Sequence, residues 1–137
     1  MKKNIIAAVL ISVITAAFFI LFTPHDMSKN EMLKAFEENK SSYENVGEYF
    51  RTHTDSDPKY VYSQEAGNYA EIKDSIEKSL ENGFLYIGVS SDHREITFGT
   101  ASQGTPDDHK LIYSPYDKPK SEPNAEMTKY GGWYIKM

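Results

Sequence analysis

The most apolar stretch of the folded region reads Phe84-Leu85-Tyr86-Ile87-Gly88-Val89-Ser90-Ser91-Asp92-His93-Arg94-Glu95-Ile96-Thr97-Phe98-Gly99-Thr100. Residues 84–89 are apolar without alternation, which favours a central strand. Such a strand is buried on both faces, or it has one face against the helices and the other against the segment next to the leader. Residues 90–94 have the composition of a turn, and residues 95–100 alternate polar with apolar side chains. This stretch therefore predicts a hairpin within an antiparallel sheet.

Further strands are predicted on both sides of the hairpin. Residues 59–63 are rich in aromatic and β-branched side chains, and this strand is expected at an edge of the sheet because no other strand is close to it in sequence. Residues 110–114 and 127–136 follow the hairpin, and Gly131-Gly132 would permit a bulge in the last strand. We expect about five strands in a mostly antiparallel sheet.

Two helices precede the hairpin in the predicted fold. Ser28 and Glu31 have the spacing of a capping box, and apolar side chains follow at helical spacing at Leu33, Phe36, Tyr43, Val46 and Phe50. A second helix is expected to begin at Asn68 and to bury Tyr69, Ile72, Ile76 and Leu80. The order of elements predicts an α+β fold in which two helices cover one face of the sheet.

The N-terminus predicts a membrane anchor. Lys2 and Lys3 precede eighteen uncharged residues, Ile5 to Phe22, and the anchor residues among them include Ile5, Val9, Ile14, Phe18 and Phe22. At ~1.5 Å per residue this segment is ~27 Å long as a helix, close to the ~30 Å of a hydrocarbon core. The lysines favour a cytoplasmic N-terminus and an extracytoplasmic domain.

The predicted organisation is an anchor over residues 1–23 and a single domain over residues 24–137. Bulky side chains at the end of the apolar run fit a signal peptidase poorly, so we expect the leader to be retained as a transmembrane helix. Ala16-Ala17 offers an alternative cleavage site, and cleavage there would yield a secreted protein.

Charge and composition exclude several functions. The residues after Thr23 carry 13 basic and 20 acidic side chains, a balance of −7 that opposes binding to nucleic acid. The chain has no cysteine, which excludes disulfides and thiol chemistry. The partners that we expect are the membrane and an unidentified protein or envelope polymer.

No motif predicts catalysis, a metal site or a cofactor. The four histidines lack the spacing of metal ligands on a helix, and no serine has the context of a nucleophile. His93 lies in a predicted turn beside Asp92, where a solvated role is favoured over that of a general base. The acidic pair Asp107-Asp108 lacks the additional oxygen ligands of a calcium loop.

Aromatic side chains are the most distinctive feature of the composition, with ten tyrosines, seven phenylalanines and one tryptophan. Most are expected to fill the core of a small domain without disulfides. An alternative is a binding face, because aromatic rings supply large contact area at small entropic cost. We expect Tyr116, Tyr130 and Trp133 to be its exposed members.

The lysine-led anchor, the helix from Leu33 to Phe50, the segment Leu111-Ile112-Tyr113-Ser114-Pro115 and the closing Gly132-Trp133-Tyr134 support a resemblance. Together they resemble small exported or membrane-anchored proteins of low-GC Gram-positive bacteria. The resemblance implies a cell-envelope setting and no established activity, and it assigns no functional residue.

Three functions remain open from the sequence. The leading hypothesis is a membrane-tethered, non-enzymatic interaction module that binds a protein or an envelope component. An immunity or inhibitor protein would instead use the acidic surface against a basic secreted toxin or enzyme. An envelope hydrolase would use His93 or His109.

Overall fold

A computed structural model describes residues 27–55, 58–102, 105 and 108–137. The predicted anchor, with Ile5, Val9, Ile14, Phe18 and Phe22, lies outside these residues. Within the described ranges, no helix has both the length and the apolar character needed to cross a membrane.

The first predicted helix is present, but it is divided in two. The helix α1 spans Lys29–Glu38 and α2 spans Lys40–Thr52. The capping box is confirmed, since Glu31 N donates to Ser28 Oγ at 3.1 Å and Ser28 N donates to Glu31 Oε1 at 3.4 Å. The prediction of one continuous helix was wrong, because Asn39 lies between α1 and α2 with the non-helical angles φ −128° and ψ 34°. Asparagine favours such helix ends over helix interiors.

A short strand and a third helix follow. Strand β1 spans Tyr60–Tyr62, two 3₁₀ turns span Ser63–Asn68 and Ala70–Ile72, and α3 spans Lys73–Leu80. Asn68 is therefore not the cap of an α-helix, although Ile72, Ile76 and Leu80 are buried as predicted. Gly83 follows α3 with φ +115°, the left-handed conformation expected of a helix end.

Six strands form one antiparallel sheet in the order β1-β2-β3-β4-β6-β5. The later strands are β2 (Tyr86–Val89), β3 (Ile96–Gly99), β4 (Lys110–Tyr113), β5 (Glu126–Met127) and β6 (Trp133–Lys136). The hairpin of β2 with β3 and the edge position of β1 confirm the prediction. The last predicted strand is two strands, because the chain turns at Gly131-Gly132, where Gly132 has φ +84°.

One face of the sheet, here called the helix face, packs against the helices. Its residues belong to the same hydrophobic core as Phe36, Tyr43 and Phe50, and they include Val61, Ile87, Val89, Ile96, Phe98, Leu111, Trp133 and Ile135. Ring centroids lie 4.6 Å apart for Phe36 with Trp133 and 5.0 Å apart for Tyr43 with Phe98. Most aromatic side chains of the helix face therefore serve packing.

The opposite face of the sheet, here called the open face, carries the alternate residues. Its two cross-strand rows are Tyr60-Gly88-Thr97-Ile112-Tyr134 and Tyr62-Tyr86-Gly99-Lys110-Lys136. The segment after β4 crosses this face, since Lys110 Nζ pairs with Glu122 at 2.7 Å and Ser121 Oγ donates to Glu95 at 2.9 Å. It leaves the part of the open face nearest β1 uncovered.

Candidate binding groove

A groove of about 720 Å³ occupies the uncovered part of the open face. Strands β1 to β4, the turn between β2 and β3, and the segment after β4 all contribute to it. Its lining residues are Lys59, Tyr60, Tyr86, Gly88, Val89, Ser90, Ser91, Glu95, Thr97, Lys110 and Ser121. Its volume lies within the range of about 300–1,000 Å³ that is usual for ligand sites.

The floor of the groove exists because two glycines lie within strands. The ring of Tyr86 lies over its cross-strand partner Gly99, where a Cβ atom would come 2.1 Å from the ring. A Cβ at Gly88 would be 3.6 Å from Tyr86, 3.7 Å from Thr97 and 3.8 Å from Tyr60, so Gly88 lies at the bottom of a space bounded by those three side chains. Glycine inside a strand often marks the close approach of a ligand or another chain.

Tyr86 is held in place by a buried carboxylate. Its hydroxyl donates to Asp108 Oδ2 at 2.5 Å, while Asp108 Oδ1 accepts from Thr100 N at 3.1 Å and Ala101 N at 3.3 Å. Burial raises the pKa of Tyr86 well above its usual value, and the hydrogen bond to Asp108 is the second cause of this shift. Asp108 thus fixes the floor, and Asp107 lies outside the described residues.

Tyr60 forms one wall of the groove. Its ring is 86° from the plane of the Tyr86 ring, with centroids 5.7 Å apart, and Tyr60 is 39% exposed. The two rings are therefore nearly perpendicular, and the Tyr60 ring lies beside Gly88, 3.8 Å from the position of a Cβ there. A ring in this position can offer a face to a bound molecule.

The polar rim has both acceptors and donors in fixed positions. Glu95 Oε1 accepts from Ser121 N at 3.3 Å and from Ser121 Oγ at 2.9 Å, and Lys110 is held by Glu122. No acidic side chain of the described residues pairs with Lys59. The rim therefore combines a positioned carboxylate, a positioned ammonium and the ammonium group of Lys59.

The aromatic residues predicted as a binding face do not line this groove. Tyr116 is 54% exposed, as expected, but it lies beside Arg51 and Arg94, with Arg51 Nη1 donating to its hydroxyl at 2.5 Å. Tyr130 is half-buried against Phe36, with a centroid distance of 5.1 Å.

The expectation that Trp133 is exposed was wrong. Trp133 is 2% exposed and packs in the core against Phe36, Phe98 and Tyr113. The side chains of a strand alternate between faces, and the register of β6 directs Trp133 and Ile135 to the helix face. The three aromatics therefore do not form a common surface.

His93 and His109 each form a hydrogen bond to a backbone carbonyl of a distant segment. His93 is 5% exposed with φ +57°, and its Nδ1 donates to Phe50 O at 2.7 Å. His109 Nδ1 donates to Met27 O at 2.9 Å. Neither is among the described residues that line the groove. Within the described part of the chain, no group of three or more histidine, aspartate or glutamate side chains could hold a metal ion.

Comparison of the chain with protein-family models, with curated proteins and with solved structures finds no match. The fold and the groove together define an α+β protein with an aromatic and polar cleft on the open face of an antiparallel sheet.

Proposed function

We propose that this protein is a membrane-tethered, non-enzymatic binding module that holds an envelope component in the open-face groove, outside the cytoplasm. The observation that carries the proposal is the space above Gly88, bounded by Tyr60, Tyr86 and Thr97 and rimmed by charged side chains. A concave site with apolar walls and a few convergent polar groups is the usual form of a ligand site.

The tether is proposed from the sequence of the leader. The fold limits the length of the connection between this tether and the domain. Met27 is 2% exposed, and its carbonyl accepts from His109, so this residue is packed into the domain. Four residues separate Met27 from Phe22 at the end of the apolar run. Fully extended, that connection reaches at most about 18 Å. An anchored domain would therefore remain close to the membrane surface.

Binding is favoured over hydrolysis by the side chains of the groove. Glu95 is the one acidic residue among the described lining residues, whereas glycosidic cleavage ordinarily needs two facing carboxyl groups. His93 and His109, the candidates for a hydrolase, direct Nδ1 to backbone carbonyls. These features support a site that positions a ligand without transforming it.

An inhibitor of a basic toxin or enzyme is less well supported. The inhibitor hypothesis depends on an acidic surface, but glutamates on all three helices pair with lysines. The pairs are Lys34 with Glu38 at 3.9 Å, Lys40 with Glu44 at 3.5 Å, and Lys73 with Glu77 at 2.9 Å. Such pairing reduces the field that an acidic surface presents to a basic partner.

The test is to fill the groove without disturbing the fold. In Gly88→Val, the new Cβ makes only ordinary contacts, and the two methyl groups occupy the space above the floor. Valine also suits a strand. The full chain, purified in mild detergent, is mixed with envelope fragments from its own organism, and the bound fraction is measured after sedimentation.

Wild-type protein is expected to sediment with the fragments, and Gly88→Val to bind at least about 10-fold more weakly. Gly67→Val is the matched control, because a Cβ at Gly67 meets no atom within 4 Å and Gly67 does not line the groove. Equal binding by wild type and Gly88→Val would refute the role of the groove. Circular dichroism of each variant establishes that the fold is retained.

A further inference from the structure

We infer that the ligand of the open-face groove is a polysaccharide segment, with a sugar ring stacked on Tyr60 and its hydroxyl groups bonded to the rim. This inference rests on the proposed function and specifies its ligand class. It is carried by the juxtaposition of a partly exposed aromatic ring with side chains that both donate and accept hydrogen bonds.

The aromatic wall suits the apolar side of a sugar ring. The C–H bonds on one face of a pyranose carry partial positive charge, and the face of an aromatic ring carries partial negative charge. The Tyr60 ring lies 3.8 Å from the position of a Cβ at Gly88, so a flat molecule stacked on that ring would place one edge near Gly88. The absence of a side chain at Gly88 makes room for that edge.

The rim suits a ligand that is rich in hydroxyl groups. Each sugar hydroxyl donates one hydrogen bond and accepts others, so a matching site needs acceptors and donors together. Glu95 supplies acceptor oxygens, Lys59 and Lys110 supply donors, and the hydroxyls of Ser91 and Thr97 supply both. A lipid chain would leave these groups without partners, at considerable desolvation cost.

Part of this rim is organised before binding. Ser121 holds Glu95 through two hydrogen bonds, and Glu122 holds Lys110 at 2.7 Å. Side chains that are already ordered lose less entropy when a ligand binds. Glu95 and Glu122 together balance the charges of Lys59 and Lys110, so the rim does not select for a strongly charged polymer.

An extended peptide fits this site less well than a glycan does. A peptide that binds a sheet usually adds a strand to an edge, where its backbone pairs with free main-chain groups. The edge strand β1 has three residues, and Tyr62 N already donates to Glu65 Oε1 at 3.1 Å. The groove instead lies across the face of β1 to β4, and the backbone groups between these strands already pair with one another.

Chemical treatment of the envelope fragments separates a polysaccharide from a protein ligand. Periodate cleaves the carbon–carbon bond between vicinal hydroxyls of sugars, being reduced to iodate as the diol is oxidised to two carbonyls. Pronase digests protein and leaves glycans intact. Each treated sample is quenched and washed before the full-length protein in mild detergent is added.

Binding that survives pronase and falls at least about 10-fold after periodate is the expected result. Binding that survives periodate and is lost after pronase would overturn the polysaccharide assignment while leaving the groove as a binding site. Absence of binding to untreated fragments would instead refute the proposed function itself.

Substitutions of tyrosine then test the stacking contact directly. Tyr60→Ala is expected to weaken binding to pronase-treated fragments at least about 10-fold, and Tyr60→Phe to preserve it, because stacking needs the ring and not the hydroxyl. Tyr116→Ala is the matched control, since Tyr116 is an exposed tyrosine outside the groove. Normal binding by Tyr60→Ala, or a loss confined to Tyr116→Ala, would overturn the inference.

Discussion

The hydroxyl of Tyr86 donates a 2.5 Å hydrogen bond to Asp108, whose other carboxylate oxygen accepts from the amides of Thr100 and Ala101. This contact joins β2 to the connection between β3 and β4. Tyr86 is 2% exposed and Asp108 is 5% exposed, so the bond lies away from solvent. The floor of the groove is thus part of the domain's buried hydrogen-bond network.

Removing the Tyr86 hydroxyl should destabilise the fold. Tyr86→Phe leaves one oxygen of a buried carboxylate without its donor, and such a loss typically costs about 1–3 kcal/mol. The measurement is thermal unfolding of the full chain in mild detergent at neutral pH. Tyr60→Phe is the control, because Tyr60 lies at the exposed rim, and its Tm should remain near that of wild type. Equal Tm values for the two variants would contradict a stabilising role of the Asp108 bond.

A methyl group at Gly99 should displace the floor of the groove. The Cβ of Gly99→Ala would lie 2.1 Å from Cε1 of Tyr86 and 2.2 Å from Cζ, which forces the ring away from Asp108. Overpacking of this kind costs about 1–3 kcal/mol or more. Gly67→Ala introduces the same methyl group into open space and should unfold as wild type does. A wild-type Tm for Gly99→Ala would mean that Tyr86 does not lie over this position.

The local pattern of residues 84–100 was sufficient to predict the central hairpin. Its two strands are adjacent in sequence and joined by a short turn, so their pairing needs no distant information. The division of the first helix at Asn39 was not predicted, because a single asparagine is tolerated inside many helices.

The groove could not be predicted from sequence because it depends on register between strands. Tyr86 covers Gly99 only because those two residues are cross-strand partners. The spacing of Tyr86 and Gly88, two residues apart on one strand, was the available signal, since it places a tyrosine and a glycine on the same face. The burial of Trp133 likewise follows from the register of β6 with β4, which the composition of residues 127–136 leaves undetermined.

Replacing Gly47 in α2 with alanine should destabilise the fold. In an ordinary helix interior, glycine to alanine stabilises by roughly 0.5–1 kcal/mol. The Cβ of Gly47→Ala would instead lie 2.6 Å from Cδ2 of Tyr113, whose hydroxyl is bonded to Glu48. We expect a net loss of about 1–3 kcal/mol in thermal or urea unfolding of the full chain. The double variant Gly47→Ala with Tyr113→Leu removes the ring and should lose less stability than the two single changes combined, whereas additive effects would exclude this contact.

Acid should weaken the link between α2 and β4. Glu48 accepts from Arg51 Nε at 3.0 Å and from Arg51 Nη2 at 2.5 Å, while the hydroxyl of Tyr113 also donates to it. These bonds, the Arg51 contact foremost, hold the pKa of Glu48 below its ordinary value of 4.5. A carboxyl with a lowered pKa in the folded state stabilises the fold above pH 4.5, and this contribution is lost as pH falls through the lowered pKa.

Glu48→Gln should therefore lower the Tm near pH 7, with the difference from wild type shrinking as pH falls below 4.5. The measurement is a series of thermal unfolding curves from pH 7 to pH 2.5 at constant ionic strength. Glu44→Gln is the matched control on the same helix, where Lys40 is the paired cation at 3.5 Å. Its effect should be smaller because one exposed pair contributes little, whereas Glu48 accepts from two nitrogens of Arg51 and from Tyr113. If the Glu48→Gln and wild-type curves stay parallel throughout this range, the carboxylate of Glu48 does not carry the acid sensitivity, and the Arg51 contact is not a stabilising link.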